Sequence, residues 1–434
     1  VRRRYTHTSA SSCQLYVARP YGMPFTSAAS ELVDERLHPL AQLKHLDAKV
    51  KELEAQKDTD AVIECRIKQL SLRKLLVILY EFPLMPLLQA EVALAEAYAS
   101  GGFFKQAREH IARAREGSNS IHIDAQCQRL QVDVQIAEGV LLLGEGQSEN
   151  ARAALREGHR LARSLYGEND LRIGRVSVLL GELAEQKASW CESEARRLER
   201  VRPTSGQIAA LKGQAKEQRA QVIDCFADAW AVHEQVDGPS AEQTIRILIR
   251  VAEAEHEDGR ADDAIVTMRQ ALQSLEKLQS VNKKHVLLLV DAAAQMARWL
   301  EAQGDDDEAL RFLNVAEKAA AESLDEENAK AVEIRRDKAL LHLKLGSRDA
   351  SHYDQALQYL HDVHYYQRRL HGSQSTNVAR TLKALGTVHM ARRNYVEAEQ
   401  CLHQALHIFK VEPTQNAGVV RDIHAKLKQI EATA

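Results

Sequence analysis

The chain is poor in aromatic residues, in proline and in paired cysteine. Aromatic residues make up 5% of its 434 residues, and eight prolines are spread over the whole length. This composition suits helices. The cysteines at positions 13, 65, 127, 191, 225 and 401 stand singly, with no Cys-x-x-Cys pair. Their scatter argues against a disulfide framework or a zinc site, and it indicates a reducing, intracellular compartment.

The chain also lacks a dominant charge and a long apolar run. The formal net charge is −3, so no general basic field is present to attract nucleic acid. No apolar stretch reaches the roughly 18 residues that a membrane span needs. We therefore expect neither a nucleic-acid partner nor a membrane span.

Sequence patterns that carry catalytic chemistry are missing as well. Gly144–Gly146 lacks the Gly-Lys-Ser/Thr that completes a phosphate-binding loop, and neither Gly-x-Ser-x-Gly nor His-Glu-x-x-His occurs. His361 with His364, and His403 with His407, have the spacing of metal ligands but no recognisable third ligand. We expect a non-catalytic protein with no cofactor, no metal and no small-molecule substrate.

A recurring pattern of small residues is the strongest positive signal. In five places an alanine is preceded by a small residue twelve positions earlier and followed, four and seven positions later, by a larger apolar residue and another small one. The central alanines are Ala107, Ala151, Ala264, Ala309 and Ala398. Small residues at fixed points let two helix axes approach closely, and the larger residue fills the remaining gap. The pattern predicts an all-α solenoid of helical hairpins.

The spacing resembles that of the tetratricopeptide repeat (TPR). The last repeat, Val378–Gly386 followed by Asn394–Glu399, looks like the longer TPR of kinesin light chains, and the linkers Leu165–Asp170 and Leu370–Ser375 resemble that family's inter-repeat loop. The resemblance covers roughly residues 60–410 and implies a right-handed superhelix that binds proteins. The order of the elements also resembles the ciliary tetratricopeptide repeat protein 23 group.

Six segments follow from this pattern. The first three are a basic N-terminal tail at 1–30, a divergent helical hairpin at 31–86 and TPR hairpins 1–2 at 87–171. The other three are an extended hairpin at 172–236, TPR hairpins 4–7 at 237–412 and a C-terminal capping helix at 413–434.

The extended hairpin is predicted because the anchor step from Gly181 to Ala252 is 71 residues, against 44 from Ala95 to Gly139. Two overlong helices, about 172–202 and 207–236, would meet at a turn containing Pro203. The hairpin could be a docking arm, or its apolar residues could merely zip its two helices together. The candidate contacts are Trp190, Leu198, Val201, Ile208 and Leu211.

Two further binding surfaces are predicted by counting from the repeat anchors. Around Gly139 the count places Asp133, Ile136, Val140 and Leu143 on a groove, where the apolar three could receive an amphipathic helix or pack against the N-terminal segment.

In the last repeat the same count gives Arg380, Lys383, Thr387 and Met390, of which the first two form a cationic patch for a carboxylate. Kinesin light chains carry a peptide-clamping asparagine where this chain has Ala384, a departure that argues against the same peptide binding.

The resemblances imply a non-catalytic scaffold that joins other proteins, placed in a cilium or flagellum and associated with the axoneme. Arg2, Arg3 and Arg4 could meet an acidic partner surface such as a tubulin lattice, or belong to a plain flexible tail or a presequence. The alternatives are a soluble kinesin-light-chain-like cargo or motor adaptor, and a regulatory TPR subunit of a separate enzyme.

Overall fold

The structure is a computed structural model that describes residues 38–119, 125–202, 204–281, 285–410 and 416–433. In these ranges the regular structure consists of seventeen α-helices, and no strand occurs. The chain divides into two compact units, one ending at Val236 and the other beginning at Asp237.

The first unit contains four consecutive hairpins, each made of two neighbouring helices packed together. Its helices are α1 Pro39–Gln56, α2 Thr59–Tyr80, α3 Met85–Ser100, α4 Phe104–Asn119, α5 Ala125–Gly144, α6 Ser148–Tyr166, α7 Leu171–Val201 and α8 Gln207–Val236.

The second unit contains four further hairpins and a final single helix that packs on the last of them. Its helices are α9 Glu242–Glu257, α10 Ala261–Val281, α11 Val286–Gln303, α12 Asp306–Ser323, α13 Ala329–Leu345, α14 Ser351–His371, α15 Thr376–Ala391, α16 Tyr395–Phe409 and α17 Ala417–Thr433.

Close packing within the hairpins confirms the repeat pattern. Every residue of the five recurring sets is buried, including the central alanines, each with 0% of its surface exposed. In the hairpin α5–α6, a Cβ added to Gly139 would lie 2.6 Å from Leu155 Cγ, so the leucine occupies the space that the missing side chain leaves. In this repeat the small residue and the larger apolar residue therefore form one close contact, and Gly386 with Leu402 repeats it in the hairpin α15–α16.

Local signals set the helix ends. The Asp58 side chain accepts a hydrogen bond of 3.1 Å from the backbone N–H of Ala61 and so caps α2. Gly304 ends α11 with φ 93, a left-handed conformation that glycine adopts without steric cost. α12 follows at once and pairs with α11.

The extended hairpin predicted from the sequence is present as α7 and α8, of 31 and 30 residues. The last polar contacts between this hairpin and α6 are the Lys187–Glu149 ion pair, 2.8 Å, and a hydrogen bond of 3.1 Å from Arg152 to Gln218. From Lys187 to Val201 the helix rises about 20 Å further. In this part the ion pairs Arg219–Glu192 and Lys212–Glu199 join α8 to α7.

Two helical glycines of the first unit give a matched test of this packing. Gly139→Ala should destabilise the protein by about 1–3 kcal/mol, because Leu155 is fully buried and cannot move aside. Gly213→Ala, where no atom lies within 4 Å of the added Cβ, should instead stabilise by up to about 1 kcal/mol through helix propensity. Urea unfolding followed by circular dichroism measures both. An unchanged or higher stability of Gly139→Ala would contradict the close-contact role.

Candidate protein-binding surfaces

The first unit has a groove on the side where the first helices of successive hairpins face one another. Arg175 on α7 reaches Glu96 on α3, two hairpins earlier, with its Nη2 atom 3.0 Å from Oε2. Arg172 on the same helix pairs with Asp133 on α5, with its Nε atom 3.0 Å from Oδ1. Residues that are far apart in sequence therefore meet at this face.

A cleft of about 400 Å³ opens beside Arg175. The end of α1, the start of α2 and one face of α3 form its walls. Small residues of α3, Ala93, Ala97 and Ser100, leave the space open, and Glu54 and Arg66 form an ion pair of 3.1 Å at its edge. We call this cleft, with Glu96 and Arg175, the inner groove.

Charges of both signs lie close together in and beside the groove, where pairing and burial shift their pKa values. The Glu96 carboxylate raises the pKa of the Arg175 guanidinium. Burial raises the pKa of Asp133, although Arg172 acts in the opposite direction. Because these groups are already paired, any further charge at this face would compete with an existing ion pair.

The predicted apolar surface around Gly139 needs a correction. Ile136 is 2% exposed and packs in the core together with Ala151 and Leu155 of α6, so it offers no binding surface. Val140 and Leu143 are half-buried and pack against two different core clusters. The count from the anchor was wrong for Ile136 because that residue faces the second helix of its own hairpin.

In the last repeat, the final helix, α17, forms an ion pair with one of the two residues of the predicted cationic patch. Lys383 Nζ lies 2.6 Å from Asp422 Oδ2 on α17. Arg380 is exposed and forms no ion pair with another described residue, while Ala384 is 8% exposed. A partner carboxylate would therefore meet Arg380 first and compete with Asp422 for Lys383.

Residues near the end of the extended hairpin differ in exposure. Trp190 and Val201 are 60% and 68% exposed, and Leu198 and Leu211 are half-buried. Ile208 is 8% exposed, so it is no contact for a partner and instead belongs to the hairpin's own packing. The docking-arm hypothesis is left with Trp190 and Val201 as its accessible residues.

Some expectations concern residues outside the described ranges, among them the arginines at positions 2, 3 and 4 and the proline at position 203. Within the described ranges, no helix has the length and apolarity required to cross a membrane. The same ranges contain no cluster of three or more potential metal ligands.

Comparison with known proteins gives structural neighbours only. No protein-family model matches the chain, and no curated protein matches it. A signal transduction ATPase with a tetratricopeptide repeat sensor from Pyrococcus horikoshii is similar in structure, with a TM-score of 0.52 and 12% identity. The match covers 89% of this chain and 54% of that one.

Two further similar structures match with lower scores. The TPR-like repeats of a putative kinesin light chain from Podosopora anserina have a TM-score of 0.40 and 17% identity over 54% of this chain and 98% of that one. Aspartyl phosphate phosphatase F from Bacillus subtilis has a TM-score of 0.40 and 12% identity over 90% of this chain and 96% of that one.

The consecutive hairpins, their buried small-residue contacts and the similarity to the TPR sensor protein define the class. This chain has the all-α fold of a TPR-like solenoid, with one extended central hairpin.

Sequence reasoning missed the inner groove. Its charged residues come from several helices, and the partners Glu96 and Arg175 stand 79 positions apart. No local spacing marks such a pair as a site. The only available signal was the polar character of these positions on helices that the repeat pattern already placed side by side.

The ion pair between Asp422 and Lys383 contributes to the stability with which α17 is held on the last hairpin. A hydrogen bond from Lys383 lowers the pKa of Asp422, so the pair stabilises the fold above the carboxyl's unfolded pKa, about 3.9, and is lost as pH falls through the lower folded value. Because Asp422 is 44% exposed, solvent limits the contribution to about 0.5 kcal/mol.

Asp422→Asn should therefore raise amide hydrogen exchange in α17 roughly two-fold at pH 7. Glu431→Gln, an exposed change near the end of the same helix, should leave it unchanged. Exchange that is equal in wild type and Asp422→Asn would show that this ion pair does not hold the helix.

Proposed function

We propose that this chain is a non-catalytic scaffold that binds a segment of another protein in the inner groove. The observation that carries the proposal is the open cleft of about 400 Å³ beside Arg175, where charged residues from several helices converge. Small residues on α3 leave room for a polypeptide, and the surrounding pairs offer both donors and acceptors. A solenoid face that gathers such groups is suited to binding an extended chain.

Charge exchange gives the groove its selectivity. A partner carboxylate could bind Arg175 in place of Glu96, and a partner lysine or arginine could then bind the released Glu96. An arginine suits this role because its planar guanidinium binds carboxylates through two parallel hydrogen bonds. We therefore infer that the partner segment carries charges of both signs.

Reversing the charge at Arg175 tests this site. Arg175→Glu places a carboxylate beside Glu96, so it should reduce groove-bound proteins about ten-fold in quantitative co-purification from cells. Arg160→Glu is the matched control, because Arg160 on α6 is also exposed and paired with a glutamate, Glu157. A melting curve of each variant separates lost binding from lost folding.

Full retention of the partners by a folded Arg175→Glu variant would overturn the groove as the binding site. If Trp190→Ala removed the same partners, the binding surface would be the extended hairpin instead.

For its place in the cell, we propose association with the axoneme of a cilium or flagellum. The order of hairpins along the sequence, which resembles the ciliary tetratricopeptide repeat protein 23 group, supports this location. The arginines at positions 2, 3 and 4 supply a basic segment suited to an acidic lattice such as tubulin.

Fractionation of ciliated cells tests the location. The endogenous protein should resist detergent and remain with the axoneme, and replacing the three arginines with glutamine should increase its release by salt. Replacing Arg160, Arg246 and Arg421, exposed arginines on other helices, is the control for loss of positive charge. Release of the wild-type protein by detergent alone would contradict the axonemal proposal and favour the soluble cargo or motor adaptor.

A further inference from the structure

The first hairpin carries an apolar surface that the inner groove does not use. Large hydrophobic residues are exposed around the start of α1 and the end of α2, among them Leu40 at 40%, Ile78 at 67%, Leu79 at 64% and Phe82 at 38%. Solvent-exposed clusters of this kind mark interaction surfaces in soluble proteins.

A cleft of about 240 Å³ lies within this surface, and we call it the end cleft. Its walls are largely apolar and come from α1, α2, the segment before α3 and the first turn of α3. They include Leu40, Leu43, Leu76, Val77 and Phe82. Pro83 in the connection and Pro86 in the first turn of α3 also line it and restrict the backbone there, so the cleft is a preformed feature.

One charged group, Arg73, lines the otherwise apolar end cleft. Its Nε atom is buried and has no hydrogen-bond partner. A buried donor without a partner is unfavourable by about 1–3 kcal/mol. The arginine therefore presents, at the wall of an apolar cleft, a donor that lacks a hydrogen-bond acceptor.

We propose that the end cleft docks an amphipathic helix of another protein, which inserts apolar residues one turn apart and a carboxylate that pairs with Arg73. Side chains at positions i, i+3, i+4 and i+7 of a helix form the apolar ridge that such a cleft accepts. A carboxylate satisfies the guanidinium with charge-assisted hydrogen bonds.

Charge argues for this occupant over a second copy of the chain. A two-fold symmetric contact through the end cleft would place Arg73 of one copy near Arg73 of the other, and like charges repel in a desolvated interface. The end cleft is also separate from the inner groove, because Val62 and Arg66 on the groove side of α2 lie 11 residues before Arg73 and Val77. That separation corresponds to about 16 Å along the helix.

The test uses the full-length chain and fluorescein-labelled helical peptides of about 16 residues. All peptides share leucines at i, i+4, i+7 and i+11. The parent peptide has glutamine at its polar positions, and each other peptide replaces one of these glutamines with glutamate. Fluorescence anisotropy measures each affinity. One glutamate register should bind about ten-fold more tightly than the parent peptide, the usual effect of a good charge pair.

Arg73→Gln should remove this ten-fold preference while leaving the affinity for the parent peptide unchanged. Phe82→Ala should weaken every peptide. Arg113→Gln, which changes an exposed arginine of α4 paired with Glu109, is the matched control and should change nothing. Circular dichroism melting establishes that each variant is folded.

Three results would overturn the proposal. They are the absence of saturable binding by every peptide, a glutamate preference that survives Arg73→Gln, and a dimer in sedimentation whose dissociation Phe82→Ala promotes. The last result would assign the end cleft to a second copy of the chain. Because none of these measurements involves Arg175, they leave the proposed role of the inner groove untouched.

Discussion

The close contact between a small residue on one helix and a larger apolar residue on its neighbour determines the rest of this structure. Gly139 against Leu155, and Gly386 against Leu402, bring the two helices of a hairpin together so tightly that an added Cβ would lie under 3.0 Å from the leucine. Each contact is local to one hairpin, and a chain of such hairpins must stack to bury its remaining apolar faces. The surfaces available for binding follow from this stacking.

The extended hairpin shows the same constraint with different side chains. Phe226 packs on Gly181, with its Cε1 atom 3.1 Å from where a Cβ would stand, so an aromatic ring replaces the leucine of the other repeats. Further along α7 the buried positions are Leu183, Ala184, Ala188, Cys191 and Ala195, most of them small residues. Small residues therefore continue the close helix contact beyond α6, and ion pairs between the arms take over where the apolar contacts become fewer.

The fold was predictable from the sequence because its determinants are short-range. The spacing from Ala95 to Ala107 and Ile111 lies within one hairpin, and each of these residues is buried as expected. The binding surfaces were not predictable in the same way. Ile136 was assigned to a groove by its offset from an anchor, yet helix rotation within the hairpin turns it into the core. Glu96 and Arg175 meet only after two hairpins have stacked, a distance over which small changes in packing accumulate.

The first hairpin and the last helix expose different kinds of surface, and this difference bears on function. At the C-terminal end, α17 buries Ile423, Leu427 and Ile430 and pairs Asp422 with Lys383, which leaves polar residues outside. At the first hairpin, the described residues leave Leu40, Ile78 and Phe82 exposed. Because this apolar surface lies beside Arg73, whose buried Nε atom has no hydrogen-bond partner, we infer that it suits a partner that brings both apolar residues and a negative charge.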